Sequence, residues 1–109
     1  FRFDHPTPIA ADAPAGSVLR AYHSSDIVFT FRVLEAKDLP WSAEDHAVSE
    51  LMADYWTNFA KDGDPNGPGL PDWPRYEREA GDPVMHLRAG AAAAPDGHRS
   101  RYEFLDSLP

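Results

Sequence analysis

Apolar positions recur at helical spacing through one long stretch of the chain. Val48, Leu51, Met52, Tyr55, Trp56 and Phe59 fall at i, i+3, i+4, i+7, i+8 and i+11, the spacing of a single helical stripe. The pattern predicts an amphipathic helix from about Ala43 to Lys61. Ser42 precedes it with Asp45 three residues on, a start like a capping box. Glu44 and Asp45 suit the positive end of the helix dipole, and Lys61 the negative end. Gly63 is placed to stop the helix. His46, Glu50, Ala53, Asp54 and Thr57 fall on the opposite face, expected to be wet. At this spacing the aromatic stripe reads as core rather than as a ligand box.

Shorter patterns flank this helix. Phe1 to His5 alternates apolar and polar, which predicts a half-buried strand ended by Pro6 and Pro8. Asp4 and His5 are neighbours on that strand and point to opposite faces, so they are not expected to form a catalytic pair. Thr7 to Gly16 reads as a surface loop. Ser24, Ser25 and Asp26 can each cap a helix, and a short helix through Ile27–Phe31 fits, although the same apolar run also fits a buried strand. Glu35 to Pro40 is polar and turn-like. Asp62 to Gly69 is dense in turn formers. It lacks the Asp-x-Asp-x-Asp-Gly register and closing glutamate of a calcium loop, and it reads as a rigid connector. Leu70 to Tyr76 looks extended, with its rings laid on the helix. Val84 to Arg88 is a strand candidate. Gly90 to Gly97 is alanine-rich, with a turn at Pro95-Asp96-Gly97. His98 to Leu108 can form a last helix with Tyr102, Phe104 and Leu105 as its apolar contacts. There is no internal repeat.

Composition narrows the functional classes. A chain of 109 residues makes one small domain with a modest core. A formal net charge of −8 argues against nucleic acid or an anionic membrane as partner, since both need a basic face. Without cysteine there is neither a disulfide framework nor a thiolate metal site. No apolar run approaches the ~18 residues of a membrane-spanning helix. The chain opens on Phe1 without a signal peptide, as expected of a processed product or a cut piece. None of the five histidines falls in a recognised zinc spacing, and no Gly-rich phosphate loop occurs. No Gly-x-Ser-x-Gly elbow is present, and no cofactor is expected. Ser24 and Ser25 abut His23, but a nucleophile usually meets its base across the fold.

His23 is the candidate for chemistry. It lies among small polar neighbours just before the apolar run Ile27–Phe31. A histidine at such a loop-to-helix junction keeps its ring exposed while packing on either side holds the backbone. A general base needs that placement, because an imidazole with a pKa of about 6.5 can take and return a proton near neutrality. The plainer reading is a surface histidine bonded to a carbonyl.

Two motifs go further. Ala21-Tyr22-His23-Ser24-Ser25-Asp26-Ile27 resembles the catalytic-histidine segment of the type B carboxylesterases, the family that includes the cholinesterases. Leu51-Met52-Ala53-Asp54-Tyr55-Trp56-Thr57-Asn58-Phe59-Ala60-Lys61-Asp62-Gly63-Asp64-Pro65-Asn66-Gly67 is similar to that family's C-terminal signature. Leu70-Pro71, Trp73-Pro74 and Tyr76 follow as they do there, and Arg101 to Leu105 resembles the closing helix. Asp26 stands where the family more often has Glu, and Arg32 where it often has Gly.

The resemblance implies an α/β class fold, with this chain a single C-terminal fragment of an α/β-hydrolase and no internal domain boundary. It implies a serine carboxylic-ester hydrolase as parent, acting on a small-molecule ester. His23 would be the general base of a Ser-His-Glu/Asp triad whose other members lie upstream, in keeping with the Ser, acid, His order of this fold. Asp26 would be a carboxylate near the site without being the triad acid. The isolated chain is then expected to be inactive and to self-associate. The alternative is a cholinesterase-like binding or adhesion module that keeps the fold without catalysis. Family members are often exported, to the periplasm or outside the cell, but no segment of this chain assigns a compartment.

Overall fold

The long helix dominates the computed structural model, which describes residues Phe1–Pro109. Strand β1 (Arg2–Phe3) is followed by a loop and helix α1 (Asp26–Thr30). A 3₁₀ turn at Leu34–Ala36 leads to helix α2 (Ala43–Asp62). A second 3₁₀ turn, Arg78–Ala80, precedes strands β2 (Pro83–Leu87) and β3 (Ala92–Pro95), and helix α3 (Arg99–Asp106) ends the chain.

Helix α2 starts and stops as its end residues dictate. Asp45 N–H donates to Ser42 Oγ at 3.2 Å, and Ser42 N–H donates back to Asp45 Oδ2 at 2.7 Å, a reciprocal capping box. These bonds satisfy backbone donors that have no partner within the helix. At the other end Gly63 takes φ 72° and its N–H reaches Phe59 O. That left-handed closure is available to glycine without a Cβ penalty.

The sheet has the order β1-β2-β3. β1 runs parallel to β2, pairing Arg2 with His86 and Phe3 with Leu87. β2 and β3 are antiparallel, from Pro83 opposite Pro95 to His86 opposite Ala92. The strand expected over Phe1–His5 is thus shorter, because His5 leaves the ladder to pair elsewhere. The alanine-rich segment, for which only the turn at Pro95-Asp96-Gly97 was expected, forms a strand over Ala92–Pro95. Alanine has little strand preference of its own, and here the pairing partner β2 imposes the extended form.

Between sheet and helices lies a core of Val28, Phe29, Leu34, Val48, Met52, Tyr55, Met85, Leu87 and Ala91. Trp73 lays its ring against Tyr55 and Trp56, at 5.1 and 6.1 Å between centroids. The expected stripe of α2 is accordingly buried at Val48, Met52 and Tyr55 and half-buried at Leu51 and Trp56. Phe59, at the end of the stripe, is 60% exposed. Ala53, assigned to the wet face, is buried. Helix α1 packs on that side, and one turn earlier Ser49 Oγ donates to Phe29 O at 2.8 Å. Tyr102, Phe104 and Leu105 of α3 are all exposed, so the apolar contacts expected for that helix are not made within the chain.

Candidate active site

His23 occupies a tight turn between the loop and α1. Ser25 N–H donates to Tyr22 O at 3.0 Å, closing residues 22 to 25. Ser24, third in the turn, has φ 68°, a left-handed value of the kind a type II turn requires at that place. Ser25 Oγ donates to Tyr22 O at 2.7 Å and accepts from Tyr22 N–H at 3.1 Å. Lys37 Nζ donates to Tyr22 Oη at 3.0 Å. The His23 side of the turn faces solvent, whereas Ser25 is 1% exposed. Backbone fixed and ring free is the arrangement expected of this histidine.

The turn is anchored through α1. Val28 and Phe29 enter the core, and Ser49 holds the helix end through Phe29 O. Arg32 follows at φ 54°, left-handed at a position where glycine is common in the family resembled above. Its guanidinium bonds Glu50 and Asp54, both at 2.7 Å. These pairs are exposed and contribute little individually. Asp26 is the first residue of α1 and half-buried.

The remaining histidines are all engaged with carboxylates. His5 Nε2 donates to Asp45 Oδ1 at 2.7 Å, with both side chains buried. His86 Nδ1 donates to Asp4 Oδ2 at 2.5 Å across β1 and β2. His98 pairs with Asp96 at 3.2 Å and His46 with Glu35 at 3.8 Å. Asp4 and His5 do not pair with each other, and each finds a partner distant in sequence. His23 and Asp26 form no such pair, so the structure does not join the two predicted site residues directly. Burial pushes the Asp45 carboxyl up, but bonds from Ser42 and His5 outweigh it and hold the group below the usual carboxylate range. Asp4 is lowered in the same way, its burial outweighed by His86 and Arg2. Sequence reasoning missed the Asp45–His5 pair, whose members lie 40 residues apart.

Two concavities border these elements. A cleft of about 440 Å³, lined by Arg2, Phe3, Asp4, Pro6, Arg20 and Ala21, reaches the residues just before His23. A groove of about 840 Å³ lies away from it, among Phe1, Trp56, Phe59, Trp73 and Tyr76. It contains no histidine and no nucleophile–base pair.

The chain belongs to the carboxylesterase family, whose model matches residues 1–105. Human cocaine esterase is 32% identical over 85 residues, 77% of this chain and 15% of that protein. Cocaine esterase of Oryctolagus cuniculus is 35% identical over 110 residues, 100% of this chain and 20% of its own length. Among solved structures, a thermophilic PNB esterase superposes with a TM-score of 0.76 at 23% identity, over 96% of this chain and 21% of that one. A carboxylesterase of Geobacillus stearothermophilus gives a TM-score of 0.67 at 28% identity, over 94% of this chain and 20% of its own. The small mixed sheet with its helices is therefore part of an α/β-hydrolase fold. The chain spans between 15% and 21% of the length of these proteins.

Proposed function

We propose that this chain is the C-terminal part of a serine carboxylic-ester hydrolase and that His23 is its general base. One observation carries the reading. His23 alone among the five histidines has no carboxylate partner within the chain, and it stands exposed on a turn tied from inside. A triad base needs a free face for the nucleophile and a second nitrogen for an acid. In this reading both come from residues outside the chain. His23 takes the proton of the serine hydroxyl as it attacks the ester carbonyl, then returns it to the leaving alcohol. Asp26, three residues on, is a carboxylate near the base and not its orienting acid.

Shape supports the view of a piece of a larger sheet. The accessible surface is 7541 Å², against about 6,000 Å² for a compact monomer of this mass. The radius of gyration is 16.4 Å, against about 13 Å for a compact chain of this length. Apolar side chains around the turn, including Ile27, Phe31 and Val33, are exposed, as surface awaiting the rest of a hydrolase would be. The isolated chain accordingly lacks esterase activity and self-associates.

The test is His23→Ala in the complete enzyme, read with a p-nitrophenyl ester. The expected loss in kcat is on the order of 10⁴ or more, as for removal of a triad member, with the unfolding midpoint little changed. Near wild-type hydrolysis by that variant would reject His23 as base, whereas a complete wild-type protein with no ester hydrolysis would favour the binding-module reading.

A further inference from the structure

We infer that Ser25 is a positioning residue for His23, setting the direction of the imidazole through the turn on which it sits. This rests on the reading of His23 as general base and adds a residue whose side chain touches neither substrate nor the imidazole.

Ser25 stands at the N-cap position of α1, where a serine hydroxyl ordinarily accepts from a backbone N–H of the first helical turn. It does not do so. Its backbone is already helical, φ −66° and ψ −25°, and its side chain makes no capping bond. The hydroxyl instead turns back three residues, donating to Tyr22 O at 2.7 Å and accepting from Tyr22 N–H at 3.1 Å. With the Ser25 N–H bond to Tyr22 O at 3.0 Å, three hydrogen bonds join residue 25 to residue 22. His23 and Ser24 are all that lies between. The hydroxyl therefore clamps the residue before His23 in both directions, donor and acceptor, and does nothing for the helix.

The clamp works against local strain. Ser24 is held at φ 68°, a left-handed conformation that residues with a Cβ seldom adopt. A turn carrying such a residue relaxes when its closing bonds are removed. Ser25 is 1% exposed, and without its hydroxyl Tyr22 N–H loses the acceptor that held it. The imidazole is then carried on a turn with one backbone bond where three had held it. Small misplacement of a reacting group is expensive: a shift of ~1 Å can cost about 10²-fold in rate.

The experiment compares Ser25→Ala, Ser25→Thr and His23→Ala in the full-length protein, using hydrolysis of p-nitrophenyl butyrate and thermal unfolding. Ser25→Ala is expected to lower kcat at least ~10-fold, with KM within about twofold. Ser25→Thr keeps the hydroxyl and is expected to recover most of the loss, which ties the effect to the hydroxyl, and a fall in kcat with KM unchanged, measured well below the unfolding midpoint, separates positioning from a loss of folded protein. Should Ser25→Ala fail to fold, Ser25→Thr and Ser25→Cys decide. The thiol is a weak donor, so kcat must follow the order Ser, Thr, Cys even where unfolding midpoints agree. Wild-type kcat in Ser25→Ala beside an inactive His23→Ala would overturn the positioning role alone. An active His23→Ala would overturn the general-base reading beneath it. Equal losses in the alanine and threonine variants would also overturn the inference, because the hydroxyl would then not be the cause.

Discussion

Replacing Asp45 by alanine removes three hydrogen bonds at once, from Ser42 N–H, Ser42 Oγ and His5 Nε2, each at 2.7 Å. The capping part is worth about 1 kcal/mol. The bond to His5 is charge-assisted and buried, worth about 1.5–3 kcal/mol, and its loss leaves His5, 2% exposed, without a partner. The expected destabilisation is about 2.5–4 kcal/mol, overlapping the roughly 3–5 kcal/mol typical of breaking a buried pair. Urea unfolding of the 109-residue chain at pH 7 and fixed concentration measures it from the shift in midpoint. In a cycle with His5→Phe, the second substitution should add little once the first is made. The pH dependence has a definite sign. The folded Asp45 carboxyl lies below its ordinary value, because bonds from Ser42 and His5 outweigh the upward push of burial. Its stabilisation is therefore full above the unfolded pKa of about 3.9 and is lost as pH falls through the lower folded value. Wild type and Asp45→Ala should converge in acid. A loss under about 1 kcal/mol at neutral pH, or strictly additive single effects, would refute the account.

Met52 is fully buried on α2, and Met52→Ala should cost about 2–5 kcal/mol. His46→Ala, on the exposed face, should stay within about 0.5 kcal/mol in the same titrations, and equal losses would mean that the helix faces are misassigned. The 109-residue chain should sediment as a dimer or larger species at micromolar concentration, because β1 presents an unpaired edge and Phe31 and Phe104 are exposed at 69% and 63%. A monomer that unfolds sharply would contradict that. The same purified chain should show no saturable turnover of a p-nitrophenyl ester, since a base without nucleophile or oxyanion hole has nothing to activate. Turnover abolished by a serine-directed phosphonate would reveal a nucleophile within it.

Helix α2 was legible in the sequence because its determinants are local. A stripe at 3.6-residue period, a capping box and a left-handed glycine are all written within the segment they shape. The turn at His23 was legible as residue types, and the resemblance of two motifs indicated a family that the comparison then established. The polar members of the core were not legible. Asp45 and Ser49 are buried because His5 and the carbonyl of Phe29, 40 and 20 residues away, supply their bonds, and no window along the chain contains both partners. For the same reason the alanines of β3 became a strand only against β2, and the apolar side chains of α3 remained uncovered although their spacing is helical. Sequence marked His23 as a histidine at a loop-to-helix junction. Tertiary structure set it apart from four other histidines by giving each of those a carboxylate, because pairing depends on which segments the fold brings into contact.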